Sequence, residues 1–162
     1  NIGLIAHMAY EWCQRLGDMR MLVWDNIDFE TQTVHIEQSK RHADVHLPIE
    51  DDLFEMLKQQ EQDFGFQKYV APRPYAIQGE YRPYSLQKLP LYGRALMDAA
   101  GLSKELRLSD LRRTGTTEMV EAGVGMGQIM SVTGHANPSS VKPYMKNTRK
   151  SAELALTARK NS

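Results

Sequence analysis

One stretch constrains the fold more than any other. Residues 23–49, "VWDNIDFETQTVHIEQSKRHADVHLPI", place Val34 and Ile36, then Val45 and Leu47, in alternation with polar residues on either side of a polar turn. Strand side chains point to opposite faces with a period of two, so this pattern predicts half-buried strands joined by turns. About three antiparallel strands are expected here.

The rest of the chain has helical spacing. Residues 4 to about 15 form one apolar-periodic segment ending near Gly17, and 18–22 suit a short restart. "EDDLFEMLKQQEQ" (50–62) opens on three acids, which favour a helix N-terminus, and repeats apolar residues at 53, 54 and 57. Further helices are expected at roughly 85–100, 109–122, 126–132 and 148–158. Residues 67–84 hold three prolines and a glycine and predict a long irregular connection. The expected fold class is mainly α with a small antiparallel β-sheet of about three strands (α+β).

A chain of 162 residues suits one domain, read here as residues 1–162. The lone Cys13 excludes an internal disulfide and fits a reducing compartment. No apolar run is long enough to span a membrane. A net charge of zero speaks at first against nucleic acid, but the halves differ. Residues 1–80 hold 7 Lys and Arg against 14 Asp and Glu; residues 81–162 hold 13 against 6. The second half is basic enough to meet a polyanion.

Four places carry candidate chemistry. Arg15 precedes Asp18 by three residues, a spacing that a plain surface ion pair also explains. Lys40 falls at the turn between two expected strands, where a lysine is normally just solvated. His35, His42 and His46 lie nearby, but their spacing fits no familiar zinc pattern, and no metal is expected. In "LRLSDLRRTGTTEM", Ser109 suits a helix N-cap, which sets Arg112 in the first turn. A cation there opposes the helix dipole, so a bound anion is a reason for it.

The fourth place is "GHANPSSVKPYMK" (134–146). Gly134 reads as the end of the helix "GQIMSVT", leaving His135 at a defined corner. Asn137 can cap the next helix, with Pro138 in its first turn. Tyr144 stands nine residues after His135, just after Pro143, on an expected short or kinked segment.

In register from about residue 4 to 146, these residues resemble the tyrosine recombinases, or phage-integrase-type site-specific recombinases. Arg15, Asp18 and "LVWDNID" resemble the first box of that family, and Lys40 in "EQSK" falls at its hairpin lysine. "SDLRRTG" resembles the second box, with Arg112 as its arginine, and "TGH" with Tyr144 nine residues on resembles the last. One position departs: Ser109 stands where the family usually has a histidine, which puts that histidine's proton-handling role in doubt.

The resemblance implies a catalytic domain of the DNA breaking-and-rejoining fold. Tyr144 would be the nucleophile, Arg15, Arg112 and His135 phosphate ligands, and Lys40 the acid for the leaving 5′ oxygen, with Asp18 and Ser109 supporting. It implies double-stranded DNA as partner, a homo-oligomer (a tetramer) on DNA, accessory DNA-bending proteins in some systems, and no cofactor. A cytoplasmic location, in a bacterial or phage-infected cell, and a missing upstream DNA-binding module are expected too. Two alternatives remain open. One is type IB topoisomerase-like relaxation. The other is a non-catalytic DNA-binding module, suggested by the helix-turn-helix look of "TTEMVEAGVGMGQIMSVTGH".

Overall fold

The computed structural model describes residues 1–40, 42–145 and 149–160. Seven helices and three strands are seen among them. In order these are α1 (Ile2–Glu11), α2 (Leu16–Met19), β1 (Ile27–Asp28), β2 (Thr33–Glu37), β3 (Asp44–Pro48) and α3 (Asp51–Phe64). Then come α4 (Leu89–Ala99), α5 (Leu111–Glu121), α6 (Met126–Thr133) and α7 (Arg149–Lys160). Residue 148, the expected start of the last helix, lies outside the described residues, as do Arg41 and Lys146 beside two candidate sites.

The three strands form one antiparallel sheet in the order β1-β2-β3. Val34 pairs with Leu47 and Ile36 with Val45. All four are buried, while His35, Glu37, Asp44 and His46 face outward. The period-two pattern thus decides which face meets the core. Full burial of each such side chain contributes about 1.5–3 kcal/mol.

α1 buries Leu4, Ile5, Met8 and Ala9, one face at helical spacing. It packs on α2, α3, α4 and α5, so it is the central helix. It ends at Glu11, four residues before the expected limit. Cys13 then takes φ of +51° and turns the chain toward α2. That break leaves Arg15 extended at the start of α2 rather than inside a helix. Residues 65–88 form the expected irregular connection. It is held to the core by buried Val70 and Ala71 and by a bridge between Val23 and Tyr69.

No helix among the described residues is long and apolar enough to cross a membrane.

Candidate active site

Arg112 is the second residue of α5. Its Nη2 donates to the Thr133 carbonyl (2.8 Å) and to His135 Nε2 (3.3 Å). Its Nη1 is buried and has no hydrogen-bond partner among the described residues. Burial pulls the guanidinium down to about 10, and the positive charge of Arg15 pulls the same way. Two cations are therefore held near each other in a partly dehydrated place, where the Asp18 carboxylate offsets only part of their repulsion.

Ser109 does not cap α5 as expected. It is exposed on a 3-10 turn, Leu108–Asp110, that precedes the helix. Asp110 takes the cap position, with no side-chain capping bond. The helix starts where the sequence suggests, but the turn ahead of it forms from backbone bonds such as Asp110 N–H to Arg107 O (3.0 Å).

Arg15 and Asp18 are more than a surface pair. Asp18 is buried, with Oδ2 at 3.7 Å from Arg15 Nη1. Its Oδ1 accepts from the backbone N–H (3.1 Å) and hydroxyl (2.5 Å) of Ser39. Ser39 immediately precedes Lys40, which is exposed on the turn joining β2 and β3. The hairpin tip offers no apolar anchor, as its sequence indicates, yet it has a polar one in Asp18.

Gly134 ends α6 in the left-handed region (φ 68°), as expected for a glycine C-cap. This corner presents His135. Thr133 donates its hydroxyl proton to Ile129 O (2.7 Å), so its oxygen is left to accept from His135 Nδ1 at 2.6 Å. The network therefore assigns the proton of the neutral imidazole to Nδ1 and a lone pair to Nε2, facing Arg112. Asn137 caps the following turn through Ser139 N–H (2.9 Å), but that turn, Pro138–Ser140, is 3-10 rather than α-helical. Tyr144 ends a second 3-10 turn, Lys142–Tyr144, anchored by the fully buried Val141. Its ring centroid lies 6.3 Å from that of His135.

Two residues at this site carry no mark of chemistry in the sequence. Gln38 and Gln14 are both completely buried. Gln38 accepts from Arg15 Nη1 (3.1 Å) and donates to Gln14 Oε1 (2.6 Å) and to the Thr133 carbonyl (2.8 Å). One signal was available for Gln38: with Val34 and Ile36 inward, parity turns residue 38 inward as well, and a polar residue on a core face needs partners.

The other singled-out histidines stand apart from this cluster, on the outer face of the hairpin. His35 and His46 are cross-strand partners with stacked rings 4.3 Å apart, and His35 Nε2 lies 3.0 Å from Asp44 Oδ1. His42 pairs with Glu37 at 3.5 Å.

The fold is that of tyrosine-recombinase catalytic domains. A lambda integrase dimer bound to a COC′ core site is similar, with a TM-score of 0.69 and 20% identity, over 91% of this chain and 53% of the other. The Tn1549 transposon integrase in complex with a circular intermediate DNA gives 0.71 and 17%, over 95% and 57%. The lambda integrase catalytic core gives 0.63 and 20%, over 83% and 79%. At such identities the likeness establishes the fold alone. The chain spans little more than half of the two longer proteins. No curated protein sequence matches it. A model of the phage integrase family matches residues 2–151, from the first residue of α1 into α7. Since that match takes in nearly all of the sequence, the chain belongs to the phage integrase family.

Proposed function

We propose that this chain is the catalytic domain of a site-specific DNA recombinase or integrase. It would cut and rejoin double-stranded DNA through a 3′-phosphotyrosyl bond, with neither metal nor cofactor. One observation carries this reading. Arg15 and Arg112 converge on one partly buried patch beside His135 and Tyr144, and Arg112 Nη1 is a buried donor with no acceptor among the described residues. A scissile phosphate between the two guanidiniums supplies that acceptor and offsets their repulsion.

The chemistry needs such a clamp. As the attacking oxygen arrives, charge grows on the phosphate oxygens. Guanidiniums answer it with paired, charge-assisted hydrogen bonds and stay ionised at working pH. Preorganised donors of this kind are worth about 3–4 kcal/mol each when removed.

Tyr144 Oη forms the new bond to phosphorus while the bond to the 5′ oxygen breaks. A phenol with pKa near 10 is mostly protonated at neutral pH, so a base has to take its proton. His135 suits that task once the bound phosphate draws Arg112 Nη2 away from its Nε2, and the imidazolium so formed becomes a further donor to the phosphate. Lys40 gives its proton to the leaving 5′ oxygen. One phosphodiester is exchanged for another, so rejoining by the reverse path needs no energy source.

On DNA the active form would be a homo-oligomer, a tetramer in the synapse. The test is incubation with a nicked suicide duplex followed by a denaturing gel. A covalent protein–DNA band supports strand transfer. Binding without any adduct would make the chain a DNA-binding module instead.

A further inference from the structure

The candidate catalytic groups stand on segments far apart in sequence, and one side chain bridges two of those segments, the α1–α2 link and the end of α6. Gln38 directly follows β2. Its Oε1 accepts from Arg15 Nη1, and its Nε2 donates to the carbonyl of Thr133. That carbonyl also accepts from Arg112 Nη2, and the Thr133 hydroxyl binds His135. Ser39, the next residue, is fixed to Asp18, and Lys40 comes after it. Gln14 locks the amide from behind. Its Oε1 takes the other Nε2 proton of Gln38, while its own Nε2 donates to Trp12 O and Val132 O, both at 2.7 Å. The orientation of Gln38 is therefore fixed. A flipped amide would face Arg15 with its NH2 and the Thr133 carbonyl with its oxygen.

We propose that Gln38 is a positioning residue, and that its amide sets the distance between Arg15 and the Arg112–His135 pair. The proposal rests on the recombinase reading. Gln38 holds Arg15 through a neutral acceptor. Arg15 already has the Asp18 carboxylate at 3.7 Å; a second carboxylate in place of Gln38 would compete with the phosphate for the guanidinium, whereas an amide aligns it without adding negative charge. An apolar residue would fill the space but give Arg15 nothing to lean on. The double acceptor at Thr133 O then makes the spacing a property of one small network: Arg15 is bonded to the Gln38 amide, and that amide and Arg112 meet on the same carbonyl.

The test compares wild type, Gln38→Met and Gln38→Glu on a nicked suicide duplex, reading adduct formation, DNA binding and thermal melting. The charged groups around the amide are Arg15 from the α1–α2 link, Arg112 from α5, His135 after α6 and Asp18 beneath Ser39. Gln38→Met is expected to bind DNA nearly as wild type but form adduct about ten- to a hundredfold more slowly, as for a lost bond to a charged group.

Gln38→Glu carries the sharper readout. Ionised, it loses both donors and neutralises Arg15; protonated, it regains a donor and the neutral acceptor. Full burial and the facing oxygens of Gln14 and Thr133 push that carboxyl up against the downward pull of Arg15, so between about pH 8.5 and 5.5 its rate relative to wild type should rise as pH falls. A constant ratio across that range, or wild-type rates in both variants, overturns the proposal, as does a Met variant whose loss is fully explained by unfolding alongside a Glu variant with no pH-dependent recovery. A wild-type chain that forms no adduct overturns the recombinase reading itself and the positioning role with it.

Discussion

Gly134 and Gln38 press together so closely that a side chain at residue 134 has no room. A Cβ there would lie 2.7 Å from Gln38 Cδ and 2.9 Å from its Oε1. The glycine thus serves two ends at once, the left-handed cap of α6 and the passage of the amide that reaches Thr133.

Gly134→Ala should accordingly destabilise the chain by about 2–4 kcal/mol, combining left-handed strain with overpacking. Urea unfolding measures it. Adduct formation should fall further than the unfolded fraction explains, because the Gln38 amide has to move. A midpoint shift below the error of the titration would mean that the corner relaxes freely.

Tyr144→Phe removes one hydroxyl from a half-buried ring at the end of a 3-10 turn. Covalent attachment to DNA should vanish while DNA binding stays within about twofold, since no packing is lost. Gel shift and denaturing gel separate the two effects. Adduct that persists in this variant would assign the nucleophile to another residue.

Arg112→Gln should separate activity from stability. A buried base whose folded pKa is depressed, here to about 10, costs the fold stability while it is charged. The cost is fully present at pH 7 and fades only as pH rises above about 10. The Thr133 carbonyl keeps its Gln38 donor in the variant. Melting at pH 7 should therefore be equal to or above wild type, while cleavage falls roughly a hundredfold or more. Sulfate should raise the melting temperature of wild type and not of the variant. A large drop in melting would show that the guanidinium is there to support the fold.

Lys40→Ala should be rescued by a duplex with sulfur at the bridging 5′ position, because a thiolate leaves without a proton. Arg112→Ala should not be rescued, since its defect is lost charge stabilisation. Single-turnover cleavage on both substrates reads this directly. Equal rescue of the two variants, or of neither, would move the acid to another residue, with His135 the next candidate.

Much of the architecture was legible because its causes are local. The alternation of Val34, Ile36, Val45 and Leu47 decided the sheet and its buried face, and glycine in the left-handed region ended α6 where the sequence has Gly134. Even the departures were local in origin. α1 stops early because the chain turns at Cys13, and Ser109 yields the cap position to Asp110 when a 3-10 turn precedes α5.

The sequence by itself determined the helices, the hairpin and the order in which Arg15, Lys40, Arg112, His135 and Tyr144 appear along the chain. Only the tertiary structure decided that Asp18 is buried under Ser39, that Thr133 O receives both Arg112 and Gln38, and that Gln14 stands behind them. The physical reason is separation. Gln38 and Thr133 are 95 residues apart, and no periodicity links them. A hydrophobic pattern reports which side of an element leaves water, and that depends on near neighbours. A buried polar contact reports which distant donor meets which acceptor, and that is settled only when the elements have packed.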